Sequence, residues 1–489
     1  MTHRHSLSTF WLIFRHELTI LTRDRTLPIV AVLLALMVLG GLFVGITQAQ
    51  QRSAMIAEVI EHSAKRQANN EATLQSVLDG KQALVPFGNP ANPAALAGGL
   101  AGRHTTLPNL PLAGLAIGQS DMVPNYYRIS YLSKVQFMYD TEIENPWNLL
   151  SGHFDLSFVI TFVLPLLVIG LSFNMLSAER EQGTLRMLFA QPMALTTLIA
   201  AKVSARYLVF LAVTLPLPPI ILLSLFPATR TADSLLFMAL WALVVATYTL
   251  FWFALAALVN AFGRASSSNA LIMISGWTFL VLILPIVMNL MVGAIAPAPS
   301  RTELASRTRV VTADALREYE EMYSTDYRYT SDPDSLAVKD GRIEVPPRMR
   351  AFFQAKQRVD EQVEPLLNRF DHQLLAQQKL VDVIGFLSPA ILVNEALNLV
   401  AGNDSRRFLA FKTQTEAFHN GWRAFFAPKI ATDRATTRAE MAALPQWQWR
   451  ETATGTTGWR IASRAALLLL VSLVIAIIAA RKLRRGQIV

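Results

Sequence analysis

Six stretches of this chain are each about twenty residues or longer, apolar and almost free of charge, and that feature decides most of what the chain can become. Crossing a hydrocarbon layer of about 30 Å takes about 20 helical residues at ~1.5 Å each. The six stretches fall at 27–48, 156–176, 207–226, 234–262, 268–295 and 461–480. Of the 489 residues, 52% are hydrophobic and only 16% charged, an imbalance concentrated in these runs rather than spread over amphipathic faces. The expected class is therefore an all-α polytopic membrane protein. Pro165, Pro216, Pro218, Pro219 and Pro285 interrupt the runs, and kinks are expected there, since bundled membrane helices tolerate proline.

The short connections predict an orientation. Arg15, Arg23 and Arg25 precede the first span, Arg180, Arg186, Lys202 and Arg206 lie between the second and third, and Arg481, Lys482, Arg484 and Arg485 follow the sixth. With six spans all of these fall on one side, which the positive-inside rule makes cytoplasmic. Both termini then lie in the cytoplasm, with residues 1–26 before the first span and a basic tail, 481–489, after the last. The first apolar run is too long for a signal peptide and reads as a retained anchor. Ahead of it, Phe10, Phe14, Leu18 and Leu21 share a face away from Arg15 and Arg23, as in an interfacial amphipathic helix. Anchoring at the membrane and docking of a partner both fit that pattern.

Two large segments, 49–155 and 296–460, then face outward and are expected to build a largely helical outer domain. Residues 347–384 read as one long helix despite Pro365, and 389–401 as a helix with a Pro start and a Gly402 stop. Leu392, Ala396 and Leu399 form a stripe opposite Asn394 and Asn398, suggesting a helix on the outer membrane surface or against the other outer segment. Trp447, Trp449 and Trp459 precede the last span, where indoles favour the headgroup layer.

Catalytic signatures are missing from the sequence. It holds no HExxH, no GxSxG and no GxxxxGK[ST] phosphate loop, and no cysteine. His3 and His5 lie at the terminus, while His153 and Asp155 flank the second span as either an interface pair or part of an ion path. The formal charge of +9 comes without a basic stripe interleaved with aromatics, so nucleic acid is not an expected partner. The middles of the spans carry almost no ionisable group, which argues against ion pumping through this chain alone. Thr161, Ser172, Asn174, Thr214, Tyr248, Asn260, Thr278 and Asn289 remain, for interhelical hydrogen bonds or for a substrate path.

The connection between the second and third spans, 177–206, is more than a charged loop. Read as a short helix, AEREQGTLRMLFAQP (178–192) sets Leu185, Leu188, Phe189 and Pro192 on one face and Glu179, Gln182 and Arg186 on another. Glu179 and Glu181 suit the positive end of a helix dipole. Gly183 costs such a helix about 1 kcal/mol relative to Ala, so it marks either a bend or the close approach of another backbone. An apolar face combined with a glycine suits a protein partner better than water or lipid alone.

Glu179-Arg180-Glu181-Gln182-Gly183-Thr184-Leu185, with Leu188 and Gln191-Pro192, resembles the coupling segment of ABC-2-type permeases, the membrane subunits of ATP-binding-cassette transporters. The N-terminal stretch with Arg15, Glu17 and Arg23-Asp24-Arg25 is similar to that family's connecting helix. The likeness covers the topology of the whole chain and is specific over residues 8–30 and 177–206. Large outer segments, including LSPAILVNEALNLVAG, set the chain apart from the commonest members.

The resemblance implies a permease subunit without nucleotide chemistry of its own, with ATP and Mg bound by a separate ABC ATPase subunit. It implies pairing with a second copy or a paralogue, and residence in a bacterial inner (plasma) membrane. Glu179 and Glu181 would meet basic or N–H groups of the ATPase, Leu185, Leu188 and Phe189 would fill its groove, and Gly183 would allow close approach. Export of a substrate is the leading expectation. Mechanotransmission to an extracytoplasmic protein is the alternative, and an ATP-independent scaffold leaves the coupling segment unexplained.

Overall fold

The computed structural model describes residues 2–23, 25–81, 87–138, 154–185, 194–297, 301–318 and 336–486. Six of its helices are long and apolar enough to cross a membrane, which makes this a multi-pass membrane protein. After an N-terminal helix α1 (Thr2–Arg23), these are α2 (Thr26–Leu78), α3 (Leu156–Glu181), α4 (Leu195–Leu225), α5 (Ala232–Ala261) and α6 (Ser266–Ile295). The sixth comes last in the chain, after α7 (Arg301–Glu318), α8 (Pro347–Ile384), α9 (Pro389–Ala401) and α10 (Ser405–Ala431); it is α11 (Thr454–Gly486). Arg25, at φ 56, makes the sharp joint between α1 and α2.

Helix ends differ from the hydropathy limits because helices continue where polar residues find partners. α2 has 53 residues, about 80 Å of helix, so its second half stands clear of a bilayer as a strut. α4 begins at Leu195, well before the apolar run, and carries Lys202 and Arg206 inside it rather than in a loop. It is interrupted at Leu215–Pro216 and resumes at Leu217.

Two of the expected kinks are π-turns, Val159–Val163 in α3 and Thr278–Ile283 in α6, each ending just before a proline. The proline ring cannot bond to the preceding turn and pushes its carbonyls off the ladder. Neighbouring elements take up those freed carbonyls. Tyr248 of α5 donates to the Thr161 carbonyl (2.9 Å), and Ser388 donates to that of Leu280 (3.2 Å). The bundle core around them holds fully buried Trp241, Tyr248, Trp252 and Phe253 of α5, the most enclosed of the long helices.

The two large segments between spans share one core. Leu74 and Val77 from the strut pack with Leu96, Tyr127, Phe353, Phe411, Trp422 and Phe426. A two-stranded antiparallel sheet lies within it, Arg103–Thr106 against Tyr126–Ile129, so the all-α expectation needs this small amendment. Tyr127 stacks on Phe411 with centroids 5.5 Å apart.

Two surface expectations are corrected. Of the two places expected for α9, the membrane surface is not the one found: Leu392, Val393, Ala396, Leu397 and Val400 are buried in one core with α5 and α11, and the helix also packs against 113–115 of the other large segment. Trp447 and Trp449 are also not headgroup anchors. Both pack on Phe411, and the Trp447 indole donates to the Thr106 carbonyl (2.9 Å), whereas Trp459 is exposed. Asp155 caps the start of α3, accepting from the Phe158 N–H, and also accepts from the Ile117 N–H, both at 2.7 Å. His153 lies outside the described residues, as do the side chains of His3 and His5.

Candidate functional site

The helix that opens the 177–206 connection is short. It spans Ser177–Glu181, and Gly183, at φ 76, turns the chain before Thr184 and Leu185. The single helix expected over 178–192 is thus broken at the glycine, and a Cβ there would meet nothing within 4 Å. Of the two sequence readings, the bend is the one observed. Arg186, Leu188, Phe189 and Pro192 lie outside the described residues, as does Asp24.

What the fold brings together here is a neutral cluster of four charges. Glu17 of α1 accepts from the Arg206 guanidinium at 2.6 Å and lies 3.7 Å from the Lys202 ammonium. Lys202 also reaches Glu179 at 2.5 Å and donates to the Met175 carbonyl at 3.1 Å. Glu17, Lys202 and Arg206 are nearly excluded from solvent, with side chains 6%, 9% and 8% exposed. Buried charges persist only when paired in this way, because desolvation otherwise outweighs their attraction. The two cations stand one turn apart on α4, so they clamp the N-terminal helix on one side and the end of α3 on the other.

The remaining residues of the segment tie into α5 and α6. Glu181 does not cap its own helix; it accepts from the Ser266 backbone N–H (2.7 Å) and hydroxyl (2.9 Å) at the start of α6, a favourable place for a carboxylate. Arg180 donates to the carbonyl of Gly263, in the turn between α5 and α6. Just before, α3 unwinds over 173–176. Asn260 stitches that break, donating to the Ser172 carbonyl (3.0 Å) and accepting from the Leu176 N–H (3.1 Å). Asn269 adds a bond to the Phe173 carbonyl (3.3 Å). Asn260 and Tyr248 therefore serve interhelical hydrogen bonds.

Glu179 and Glu181, expected to face an ATPase, thus find their basic and N–H partners within this chain. Leu185 is likewise buried internally, in a cluster with Leu195, Leu198, Ala479 and Leu483 against which Ile13 packs. That cluster puts the N-terminal helix, the 177–185 segment and the C-terminal end of α11 at one end of the bundle. Arg180, Glu181, Gln182, Gly183 and Thr184 stay exposed there, alongside Arg15, Arg23 and Arg25. Sequence reasoning counted Lys202 and Arg206 only as topology charges and missed Ser266. Their i, i+4 spacing was the available signal, and it needed the correct start of α4 to be read.

At the opposite end, α9 joins the domain built by the two large segments to the spans. Glu395 pairs with Arg464 of α11 at 2.7 Å, and the Ser157 hydroxyl donates to the Asn394 side chain at 3.0 Å. Asn403 donates to the Ala113 and Ala116 carbonyls (3.3 and 2.6 Å), in the stretch held by Asp155. This is also the part of the chain that a known family covers. A family described as a domain of unknown function (DUF3526) matches residues 347–450, about a fifth of the chain, taking in α8, α9 and α10. No curated protein matches the chain.

Proposed function

We propose that this chain is the transmembrane permease subunit of an ABC-2-type ATP-binding-cassette exporter, with ATP and Mg handled by a separate ATPase subunit. The observation that carries the reading is the Glu17–Arg206–Lys202–Glu179 cluster. It binds the two stretches that resemble the connecting and coupling segments into one unit, and leaves 180–184 exposed beside it. A push on that exposed turn would reach α1, α4 and, through Glu181 and Arg180, the start of α6. The concentration of arginine and lysine at this end supports placing it, with both termini, on the cytoplasmic side of a bacterial inner membrane. Two copies, or a copy and a paralogue, would assemble with two ATPases.

A second reading keeps the ATPase and replaces export by mechanical transmission to an extracytoplasmic protein. It is favoured by the buried, hydrogen-bonded α9 junction, through which movement of α5 and α11 would pass to the outer domain.

Co-purification with candidate ATPase subunits tests both. Gln182→Trp adds bulk on the exposed turn without touching the charge cluster. Retention of an active ATPase by the wild type and its loss in the variant is the expected result. Equal retention and turnover, or no bound ATPase with either protein, would remove the support for an ATP-driven role.

A further inference from the structure

A second concentration of charge lies on the outer domain, far from the cluster above. The segment Gly98-Gly99-Leu100-Ala101-Gly102 turns the chain into the first strand, with Gly99 at φ 123 and Gly102 at φ 63. An arginine lies against each of these two glycines. A Cβ on Gly99 would sit 3.0 Å from an Arg128 terminal nitrogen, and one on Gly102 would sit 2.8 Å from Cδ of Arg66. Any other residue would displace the arginine as well as strain the backbone, so the glycines and arginines form one arrangement.

His104 lies between them. It faces Arg128 across the strand pair, and its Nδ1 is 2.7 Å from the Ser63 hydroxyl of the strut. Burial lowers its affinity for a proton, and the charges of Arg128 and Arg66 lower it further, with only a backbone bond to Gly102 opposing them. The neighbouring Arg103 uses one nitrogen on Gln67 (2.8 Å), while its Nε and other terminal nitrogen are buried without a hydrogen-bond partner. Among the described residues no carboxylate lies within ion-pair distance of Arg66 or Arg128, and both are exposed. Arg128 makes one bond, to the Gly99 carbonyl (3.1 Å), which orients its guanidinium and leaves most of its donors free.

Two other arginines of the outer domain are each paired with a carboxylate: Arg423 with Asp360 (2.7 Å) and Arg407 with Glu451 (2.8 Å). At the Gly99–Gly102 turn two exposed arginines without an ion pair among the described residues rest on glycines three residues apart, and most donors of Arg128 are free. We infer that Arg66, Arg128 and His104, seated on this turn, form a binding site for a phosphate group carried by an extracytoplasmic ligand. Two forked guanidiniums anchored three residues apart suit one compact, multiply charged oxyanion. Carboxylates strung along a peptide, at about 3.3 Å per residue, would spread the same charge beyond the turn.

Position on the strut bears on the source of the phosphate. Arg66 is 18 residues past the end of the apolar run at 48, about 27 Å along the helix. Headgroups of the bilayer that holds the chain lie well below that height, so the phosphate belongs to a soluble ligand or to a lipid presented from elsewhere.

Equilibrium dialysis of the full-length protein in nanodiscs, with inorganic phosphate and glycerol 3-phosphate as probes, tests the site. Binding by the wild type should weaken about 100-fold in Arg66→Ala/Arg128→Ala, near tenfold for each charged hydrogen-bonding partner removed. Arg66→Lys/Arg128→Lys should fall between, since charge is kept and the fork lost. Both side chains are exposed, and unchanged thermal unfolding of the variants would exclude a folding defect. Binding of phosphatidylcholine vesicles containing phosphatidic acid, lost in the same variants, would assign the phosphate to a lipid; binding of the soluble probes alone would assign it to a free ligand. The inference is overturned if the double alanine variant binds every phosphate probe as well as the wild type. It is equally overturned if a hexa-aspartate peptide binds and phosphate neither binds nor competes, which would make the face one for acidic polypeptides.

Discussion

Neutralising Glu17 should loosen the whole N-terminal end of the bundle. The carboxylate is 2.6 Å from Arg206 and 3.7 Å from Lys202, and all three side chains are at least nine-tenths buried. At an effective dielectric constant near 20, unit charges about 4 Å apart attract by about 4 kcal/mol. Removing one partner of such a pair leaves the other charge buried without compensation, a loss of about 3–5 kcal/mol. Glu17→Gln strands two buried cations with only Glu179 to balance them, whereas Arg206→Met leaves Lys202 with two carboxylates, of which Glu179, 21% exposed, can still be solvated. The first should therefore be the more damaging. In Glu17→Gln/Arg206→Met the remaining charges, Lys202 and Glu179, balance each other at 2.5 Å, so the double change should cost less than the sum of the two by about 2 kcal/mol or more. Unfolding in mixed micelles of rising SDS fraction, followed by tryptophan fluorescence, gives the four stabilities. If the effects add within about 0.5 kcal/mol, the residues are not coupled and the cluster is not the clamp described above.

Two other expectations follow from packing and from burial. The GLFVG stretch of α2 meets backbone at both glycines: a Cβ on Gly45 would lie 2.2 Å from the Gly114 carbonyl oxygen and one on Gly41 2.8 Å from Asp155, while Gly40 meets only the Phe154 ring at 3.9 Å. Gly45→Ala should destabilise by about 1–3 kcal/mol and Gly40→Ala should be tolerated; a thermal-shift comparison showing equal effects would contradict this close approach. His419 is fully buried with Nε2 3.0 Å from the Leu132 carbonyl. Burial, with help from Arg423, lowers its pKa from 6.5 to about 3. The unfolded chain then binds the extra proton first, so the stability this neutral histidine contributes is present above pH 6.5 and is lost as pH falls toward 3, at up to about 1.4 kcal/mol per unit. Acid unfolding of His419→Gln should be correspondingly less steep over that range, and parallel curves for the two proteins would refute the assignment.

The helical framework was legible because its signals are local. Apolar runs mark the spans, Pro389 and Gly402 bound α9, and Pro365 sits inside α8 without ending it. Gly402, at φ 69, occupies a left-handed position that glycine adopts without strain, so its role as a stop was readable from sequence alone. At the candidate site the same local reading located Gly183 as a special position and marked out Glu17, Glu179 and Glu181. It did not name their partners. Glu17 and Arg206 are separated by 189 residues and Glu181 and Ser266 by 85, and nothing in the pattern of one segment encodes which distant charge will neutralise it.

Burial was misjudged for the same reason. The stripe on α9 correctly marked an apolar helix, but a stripe serves a membrane surface and a protein core equally well, and α5 and α11 decided for the core. Trp447 and Trp449 had the composition of interfacial anchors until Phe411 and the Thr106 carbonyl offered them drier partners. By itself the sequence determined six apolar runs long enough to cross a membrane, and a glycine among acidic residues after the second that marks either a bend or a close approach. That much follows from the free energy of transferring each segment, and from backbone preferences within it. Only the tertiary structure decided that Glu17, Glu179, Lys202 and Arg206 form one buried cluster, and that Arg66 and Arg128 rest on one turn. Charge interactions depend on distance and dielectric, and both are set by packing between segments far apart in the chain.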